Sequence, residues 1–394
     1  MSFYSFFCYY SIVIIEWRVL IMERVLKSRV FRVITIILLI VLLLLLGVFL
    51  FLKLWVPLGG SVTDSDRINY LERASNYKNG KFSNENFFQM IYSDSKKNSF
   101  VSNKGVTPSE KISSVNPSFL EKPSIDLLNV TWLGHSTLLI QMHGMNILVD
   151  PVFSDRTSPV SFVGPSRFSE MPIEVDDLPN IDIVVISHDH YDHLDYSTIK
   201  KIDEKVSKYI VPLGIENHLE RWGVSSSKII NLAWWEEVDI NGLLIGCTPA
   251  RHYSGRKIID NYNTLWASFV FVDEYHKVFE SGDTGFDKHF QEIYDKYGEF
   301  DLALLDSGQY DVKWRSTHMS PEEAVEAGKI LGSKVIMPIH WGAFSLANHP
   351  WDDSVQRFSL KAESENMNYI TPKIGQTFTY GEVFNHEKWW SSIE

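Results

Sequence analysis

Cysteine is almost missing from this chain: Cys8 and Cys247 are the only two in 394 residues. One lies in an apolar N-terminal stretch and the other in a predicted strand, so a disulfide framework is not expected. Any site that needs several thiolates is excluded with it. Positive charge is also in deficit. Lys and Arg number 37 against 49 Asp and Glu, a net charge of −12. That balance argues against nonspecific affinity for nucleic acid, which rests on neutralising phosphates, although a local basic groove remains compatible with it. No internal repeat or heptad pattern is present, so neither a solenoid nor a long coiled coil is expected. What the chain does have is apolar residues, 45% of the total, with 12 Trp and 24 Phe. That is enough for one large core or two smaller ones.

The longest apolar run is Val33 to Leu52, which carries no charge. At ~1.5 Å rise per residue it matches a hydrocarbon core roughly 30 Å thick. A cleaved signal peptide would have a shorter run and a small-residue cleavage site, and neither is visible. Lys53, Leu54 and Trp55 supply an interfacial anchor, and Pro57 a helix stop. Residues 33–56 are thus read as a single transmembrane anchor. Arg18, Arg24, Lys27, Arg29 and Arg32 precede it, against Lys53 and then Arg67 after it. The excess of positive charge places 1–32 in the cytoplasm and the rest outside, which in a bacterium means the periplasm or exterior. Met22-Glu23-Arg24-Val25 reads like an alternative start, and Met22 is taken as the initiator. Residues 57–127 read as a linker that lies over the domain that follows or tethers it. It is rich in Ser, Asn, Lys and Asp, with a short helix around Ile68 to Tyr77 and a turn at Asn79-Gly80.

From 128 to 394 short apolar runs alternate with helical patterns, which defines the α/β class. Its centre is Ser187-His188-Asp189-His190-Tyr191-Asp192-His193, directly after the β-branched run Ile181 to Ile186. Neutral imidazole and carboxylate are the ligands zinc and its neighbours prefer, and a loop at a strand end turns alternate side chains to one point. His188 and His190 would address one metal, and Asp192 and His193 a second nearby. Other predicted strands end in chemistry too. Leu243 to Thr248 leads to His252, a usable third ligand for the first metal. Lys277 to Glu280 leads to Ser281-Gly282-Asp283-Thr284-Gly285, where the glycines leave Asp283 exposed to bridge two cations. Val335 to Ile339 ends in His340. Asp150, at the end of another strand, suits orienting the histidine loop rather than binding metal. His135 has two readings, a hydrogen-bonded loop histidine or a pocket residue. His318, before the capping box Ser320-Pro321-Glu322-Glu323, is either solvated or a substrate partner at the mouth of the site.

These residues together resemble the metallo-β-lactamase fold superfamily. His188-x-His190-x-Asp192-His193, then His252, Asp283 and His340, follow its ligand order over roughly Asn129 to Glu382. Within it the chain looks like the phospholipases D that hydrolyse N-acyl-phosphatidylethanolamine. The points of likeness are Thr131-Trp132-Leu133-Gly134-His135, Asp150-Pro151-Val152-Phe153-Ser154, Trp234-Trp235-Glu236-Glu237, Gly282-Asp283-Thr284-Gly285 and Ile339-His340-Trp341-Gly342. Arg251 to Arg256 looks more like bacterial relatives. The resemblance implies a four-layer αββα sandwich and two Zn2+ per chain. His188, His190 and His252 would hold one, and Asp192, His193 and His340 the other, with Asp283 shared. It places His318 and Tyr310 around the active site. Two metals ~3.5–4 Å apart would lower the pKa of a shared water and steady an in-line displacement at phosphorus. His318, with Asp192 in the metal centre, would serve the catalytic step. The partners implied are a lipid or other small phosphodiester and the membrane, with no nucleic acid; a homodimer stays open. So do a nuclease, lactonase or amidase on the same site, and a membrane-tethered scaffold with a degenerate one.

Overall fold

The computed structural model describes residues 3–86, 105–119, 121–257, 260–384 and 386–393. Part of the presumed linker, 87–104, therefore lies outside the described residues. The chain divides into two compact units, Met1–Trp55 and Val56–Glu394.

The first unit is two helices, α1 (Phe3–Lys27) and α2 (Arg29–Leu54). Ser28 starts α2 by accepting the Phe31 N–H at 3.0 Å. No α2 residue is buried, and its length and composition suffice to cross a membrane. The apolar run Val33 to Leu52 thus lies wholly inside one helix. The helical state of the aromatic stretch before it was not expected.

The second unit opens with α3 (Asp64–Arg73). The expected helix, Ile68 to Tyr77, is displaced toward the N-terminus. Thr63 and Asp66 form a capping box that starts it early, and Tyr77 belongs instead to β1 (Tyr77–Lys78). A hairpin joins β1 to β2 (Lys81–Phe82), and Asn79 and Gly80 take φ of 55° and 76° there, as a primed turn requires. Tyr70, Tyr77 and Phe82 pack with Leu213, Leu265 and Trp266. The front of the supposed linker therefore lies on the domain surface and shares a core with it.

Two sheets follow. The first holds β3 (Asn129–Trp132), β4 (Leu138–Met142), β5 (Met145–Val149), β6 (Ile181–Val185), β7 (Val206–Pro212) and β8 (Ile229–Leu232), with α4 (Tyr196–Ile202) and α5 (Glu216–Arg221) between its later strands. The second holds β9 (Glu237–Ile240), β10 (Leu243–Thr248), β11 (Ser268–Val272), β12 (Lys277–Glu280), β13 (Leu302–Asp306) and β14 (Val335–Ile339). Three helices accompany it: α6 (His289–Tyr297), α7 (Pro321–Ile330) and α8 (Asp353–Ser364). A last strand, β15 (Thr377–Thr379), returns to the first sheet, giving the orders β15-β3-β4-β5-β6-β7-β8 and β14-β13-β12-β11-β10-β9. Strands β5 to β8 are mutually parallel, as are β12 to β14; the other neighbours are antiparallel.

The layering follows from where apolar side chains go. Ile140, Val149 and Val185 meet Ile245, Phe269 and Leu304 between the sheets. On the far face of the first sheet, Leu148, Val184 and Val211 pack with Ile199 of α4 and Leu219 of α5. On the far face of the second, Phe279, Leu305 and Ile336 pack with Phe290, Val325 and Phe358 of α6, α7 and α8. The order is helix, sheet, sheet, helix. Strand β14 is apolar throughout because both its faces are covered. Cys247 is free and buried within β10.

Candidate metal centre

In each sheet the strands that run in one direction release their next residues at one edge. Asp150 follows β5, His188 β6, His252 β10, Asp283 β12 and His340 β14, while Asp306 ends β13. Three of the loops there are held in left-handed backbone, with φ of 56° at His135, 42° at Asp150 and 68° at His340. Such conformations cost energy in residues other than glycine and persist where surrounding structure imposes them. Close backbone approach also matters: a Cβ on Gly308 would lie 1.6 Å from the His340 carbonyl oxygen.

Two clusters form. In the first, His190 Nδ1 lies 2.9 Å from His188 Nε2 and 3.2 Å from His252 Nε2. The opposite nitrogens are already used, since His252 Nδ1 donates to the Thr317 carbonyl at 3.0 Å and His188 Nδ1 is 2.9 Å from Ser187 Oγ. Three ring nitrogens are thus gathered about one point. In the second cluster, Asp192 Oδ2 lies 3.2 Å from His340 Nε2, 3.5 Å from His193 Nε2 and 3.1 Å from His135 Nε2. Asp283 joins the two. Its Oδ2 is 3.7 Å from both His188 Nε2 and His252 Nε2, whereas its Oδ1 is 3.1 Å from His193 Nε2 and 3.3 Å from His340 Nδ1.

The donor set fits a pair of cations. His193 Nε2 and Asp283 Oδ1 are buried and have no hydrogen-bond partner, which is costly unless something else satisfies them. The donor atoms of His188, His190, His252 and Asp283 lie within 4.8 Å of one another, as do those of His135, Asp192, His193 and His340. Electrostatics agree. Burial, with neighbouring imidazoles His193 and His190, drives His188 well below the usual histidine value, and burial does the same to His252 despite Asp283. Both stay neutral, as a ligand must. Around Asp283 negative charge prevails. Burial opposes a proton on His340, yet Asp283 and Asp306 push its pKa up to about 10. His193 is raised well above its usual value against the same burial, by Asp283, Asp192 and Asp150. That corner of the site calls for positive charge.

The supporting residues sort themselves by contact. Asp150 accepts from Ser187 N at 2.7 Å, from Ser187 Oγ at 2.6 Å and from His193 Nδ1 at 2.6 Å, so it holds the histidine loop in place. His135 is fully buried, bonded to Asp192 and edge-on to the His340 ring at 4.4 Å; it backs the second cluster and does not line the cavity. His318 does line it, within a cavity of about 400 Å³ whose wall includes Tyr191, Tyr253, Trp314 and Leu346. It is 8% exposed, which rules out the solvated reading. Tyr310 corrects an expectation. Its hydroxyl bonds to Asp353 of α8 and its ring stacks on His349 at 4.2 Å, and it is absent from the cavity wall. Nearness to Asp306 in sequence did not bring it to the site; Gln309, one residue earlier, lines the cavity, while the Tyr310 hydroxyl goes to Asp353. Asp306, placed at a strand end by the sequence, was assigned no role in the site. One of its oxygens is 3.0 Å from His318 Nδ1 and the other 3.0 Å from His340 Nδ1. A carboxylate ending an apolar strand was the signal available. Asp189 was passed over as well; it bonds Gly255 N at 2.7 Å and Thr264 Oγ1 at 2.9 Å, tying down the loop that carries His252.

A sandwich that presents two such clusters around one aspartate defines a metal-dependent hydrolase. The Beta-lactamase superfamily domain matches residues 145–341, and the chain belongs to that superfamily. Among its relatives, an uncharacterized protein of Mycobacterium tuberculosis is 39% identical over 328 residues, 81% of this chain and 88% of that one. N-acyl-phosphatidylethanolamine-hydrolyzing phospholipase D 1 of Caenorhabditis elegans is 35% identical over 266 residues, 63% of this chain and 75% of that one. A metallo hydrolase of the archaeon Ignicoccus hospitalis shares the fold, with a TM-score of 0.52 at 22% identity over 65% of this chain and 100% of that one.

Proposed function

We propose that the chain is a membrane-anchored dinuclear zinc phosphodiesterase of phospholipase D type, acting on N-acyl-phosphatidylethanolamine-like phospholipids. The observation that carries the reading is Asp283, which turns one oxygen to each cluster beneath the cavity that His318 lines. The Caenorhabditis elegans relative, named for that substrate, supplies its class. When bound, two divalent cations supply Lewis acidity and a water of near-neutral pKa. His188, His190 and His252 would hold one, and Asp192, His193 and His340 the other, with Asp283 between them. The chain's own residues do the rest. Asp306 holds the His318 ring by accepting from Nδ1, leaving Nε2 in the cavity, where the imidazolium form would give its Nε2 proton to the leaving oxygen and be left neutral. Tyr191, Tyr253, Trp314 and Leu346 exclude water from the reacting phosphodiester.

A lipid substrate also suits the rim. Thr157 and Pro165 belong to one loop of the cavity wall and Trp314 to another. The same loops expose Phe162 (77%), Val163 (58%) and Val312 (74%). Apolar side chains held out beside a cavity mouth suit a bilayer surface, from which an acyl chain reaches the site without crossing water. The helix α2 would be the anchor, with the basic N-terminal side in the cytoplasm and the catalytic unit beyond the membrane.

The test is full-length protein in vesicles given a panel of phosphodiesters that includes N-acylated phosphatidylethanolamine. The expected products are phosphatidate and an N-acylethanolamine, from cleavage on the head-group side. Release of diacylglycerol, or turnover confined to lactones or amides, would overturn the substrate assignment. Purified protein without tightly held transition metal at this centre would favour a scaffold.

A further inference from the structure

His252 lies in the loop beyond β10 and outside any strand, yet the residue is fully buried. Buried backbone groups need partners, and strand pairing does not supply them here. The partner comes from the stretch that composition assigned to a linker. Asn84 Nδ2 donates to the His252 carbonyl at 2.7 Å, and Asn84 Oδ1 accepts the His252 N–H at 3.1 Å. One side-chain amide thus does for His252 what a neighbouring strand does for a ladder residue. A third bond fixes which way the amide points. Trp266 Nε1, which can only donate, reaches Asn84 Oδ1 at 3.2 Å and the Ala250 carbonyl at 2.9 Å. The amide oxygen therefore faces the indole and the His252 N–H, and the amide nitrogen faces the His252 carbonyl.

Asn84 starts from a braced hairpin end. Phe82 is buried with Tyr70, Tyr77 and Trp266, and its N–H donates to the Tyr262 carbonyl at 2.9 Å. The Ser83 N–H donates to the Asn76 carbonyl at 3.0 Å, and Asn76 Nδ2 returns a bond to the Ser83 carbonyl at 3.1 Å. The His252 ring is tied separately, through Nδ1 and the Thr317 carbonyl at 3.0 Å. With main chain and far nitrogen both held, Nε2 is left 3.2 Å from His190 Nδ1 and 3.7 Å from Asp283 Oδ2. Asn86, two residues on, makes the contrast: it is exposed, and its amide bonds the Asp287 carboxylate at 3.0 Å.

We propose, on the two-cation reading given above, that Asn84 is a positioning residue for the first metal. It sets the place of His252, and with it the affinity of His188, His190 and His252 for their ion. Ligands are oriented by the bonds around them, and losing such a partner weakens metal binding about 10- to 100-fold. The need is for an amide. Alanine leaves both His252 backbone groups unpaired, while aspartate keeps the acceptor and sets a carboxylate oxygen against the His252 carbonyl. The second cluster is braced from elsewhere, His193 by Asp150 and His340 by Asp306.

Zinc affinity tests this without any substrate. Full-length parent, Asn84→Ala and Asn86→Ala are titrated with zinc chloride against a chromophoric chelator. The parent is expected to hold two ions tightly. Asn84→Ala should hold one of them about 10- to 100-fold more weakly and the other as the parent does, and Asn86→Ala should match the parent at both. Turnover that Asn84→Ala loses at limiting zinc should return with excess zinc, as a loss of affinity requires. Parent-like affinity for both ions in Asn84→Ala would overturn the proposal. Equal weakening of both would overturn it too, and make Asn84 a general brace. If Asn84→Ala is misfolded by near-UV circular dichroism, Asn84→Asp is read by the same criteria. A parent that holds no zinc overturns the two-cation reading and the role of Asn84 together; a parent that holds two ions, matched by Asn84→Ala, overturns the role of Asn84 alone.

Discussion

The imidazole of His318 is turned by one hydrogen bond, from Nδ1 to Asp306 Oδ2 at 3.0 Å, and its other edge belongs to the cavity. Replacing it should therefore harm proton transfer and leave the ligands in place. His318→Ala is expected to lower kcat by about 10²–10⁴-fold, the usual worth of a positioned acid or base, with zinc content unchanged by elemental analysis. Loss of zinc instead would make His318 a holder of metal. Asp150 acts at one remove, through Ser187 and His193. Asp150→Asn should weaken metal affinity about 10- to 100-fold in chelator competition, as loss of an orienting carboxylate does, while KM for substrate stays near the parent value. At this scale the residues that cluster were legible because histidine and aspartate crowd the ends of apolar runs. Asp306 was not, because its value lies in facing His318 and His340 at once, 12 and 34 residues away.

Elements turn these residues into a site by ending together, and the sequence marked most of those ends. β10, β12 and β14 fall where apolar runs predicted them. The start of α7 was equally plain, because Ser320 and Glu323 form the reciprocal cap their spacing implies. The start of α3 was missed because Thr63 and Asp66 make a cap whose acid is an Asp, and its amphipathic face is short. Helix α6 carries a testable cost. His289 is 4% exposed, and burial lowers its pKa to about 3. The unfolded chain binds a proton there below about pH 6.5 and the folded chain refuses it until about pH 3. Stability is thus lost as pH falls through that window, by at most about 1.4 kcal/mol per pH unit. Chemical denaturation at several pH values should show His289→Gln with a shallower loss below pH 6.5 than the parent.

Over the whole molecule, the compact catalytic unit begins at Val56, well ahead of the boundary at 128 that composition suggested. The Val56 carbonyl accepts from Trp222 Nε1 at 2.9 Å, and the Pro57 carbonyl from the buried Arg256 at 3.0 Å. Lys257 reaches the Gly60 carbonyl at 3.0 Å, and Leu58 is buried. A fragment from Val56 should keep turnover on detergent-dispersed substrate. One from Val62 should be less stable by about 1–3 kcal/mol in urea unfolding, chiefly because the buried Arg256 donor loses its acceptor. The sequence by itself determined the apolar helix, the alternation of strands and helices, and the residue types that gather metal. All of these are local patterns of polarity, or donor chemistry that needs no partner to be recognised. Tertiary structure decided which of those residues share a centre, that Tyr310 turns away and Asp306 turns in, and that a polar stretch read as a linker belongs to the domain. Each of those depends on which distant backbone a side chain meets once two sheets close over one core, and spacing along the chain does not carry that.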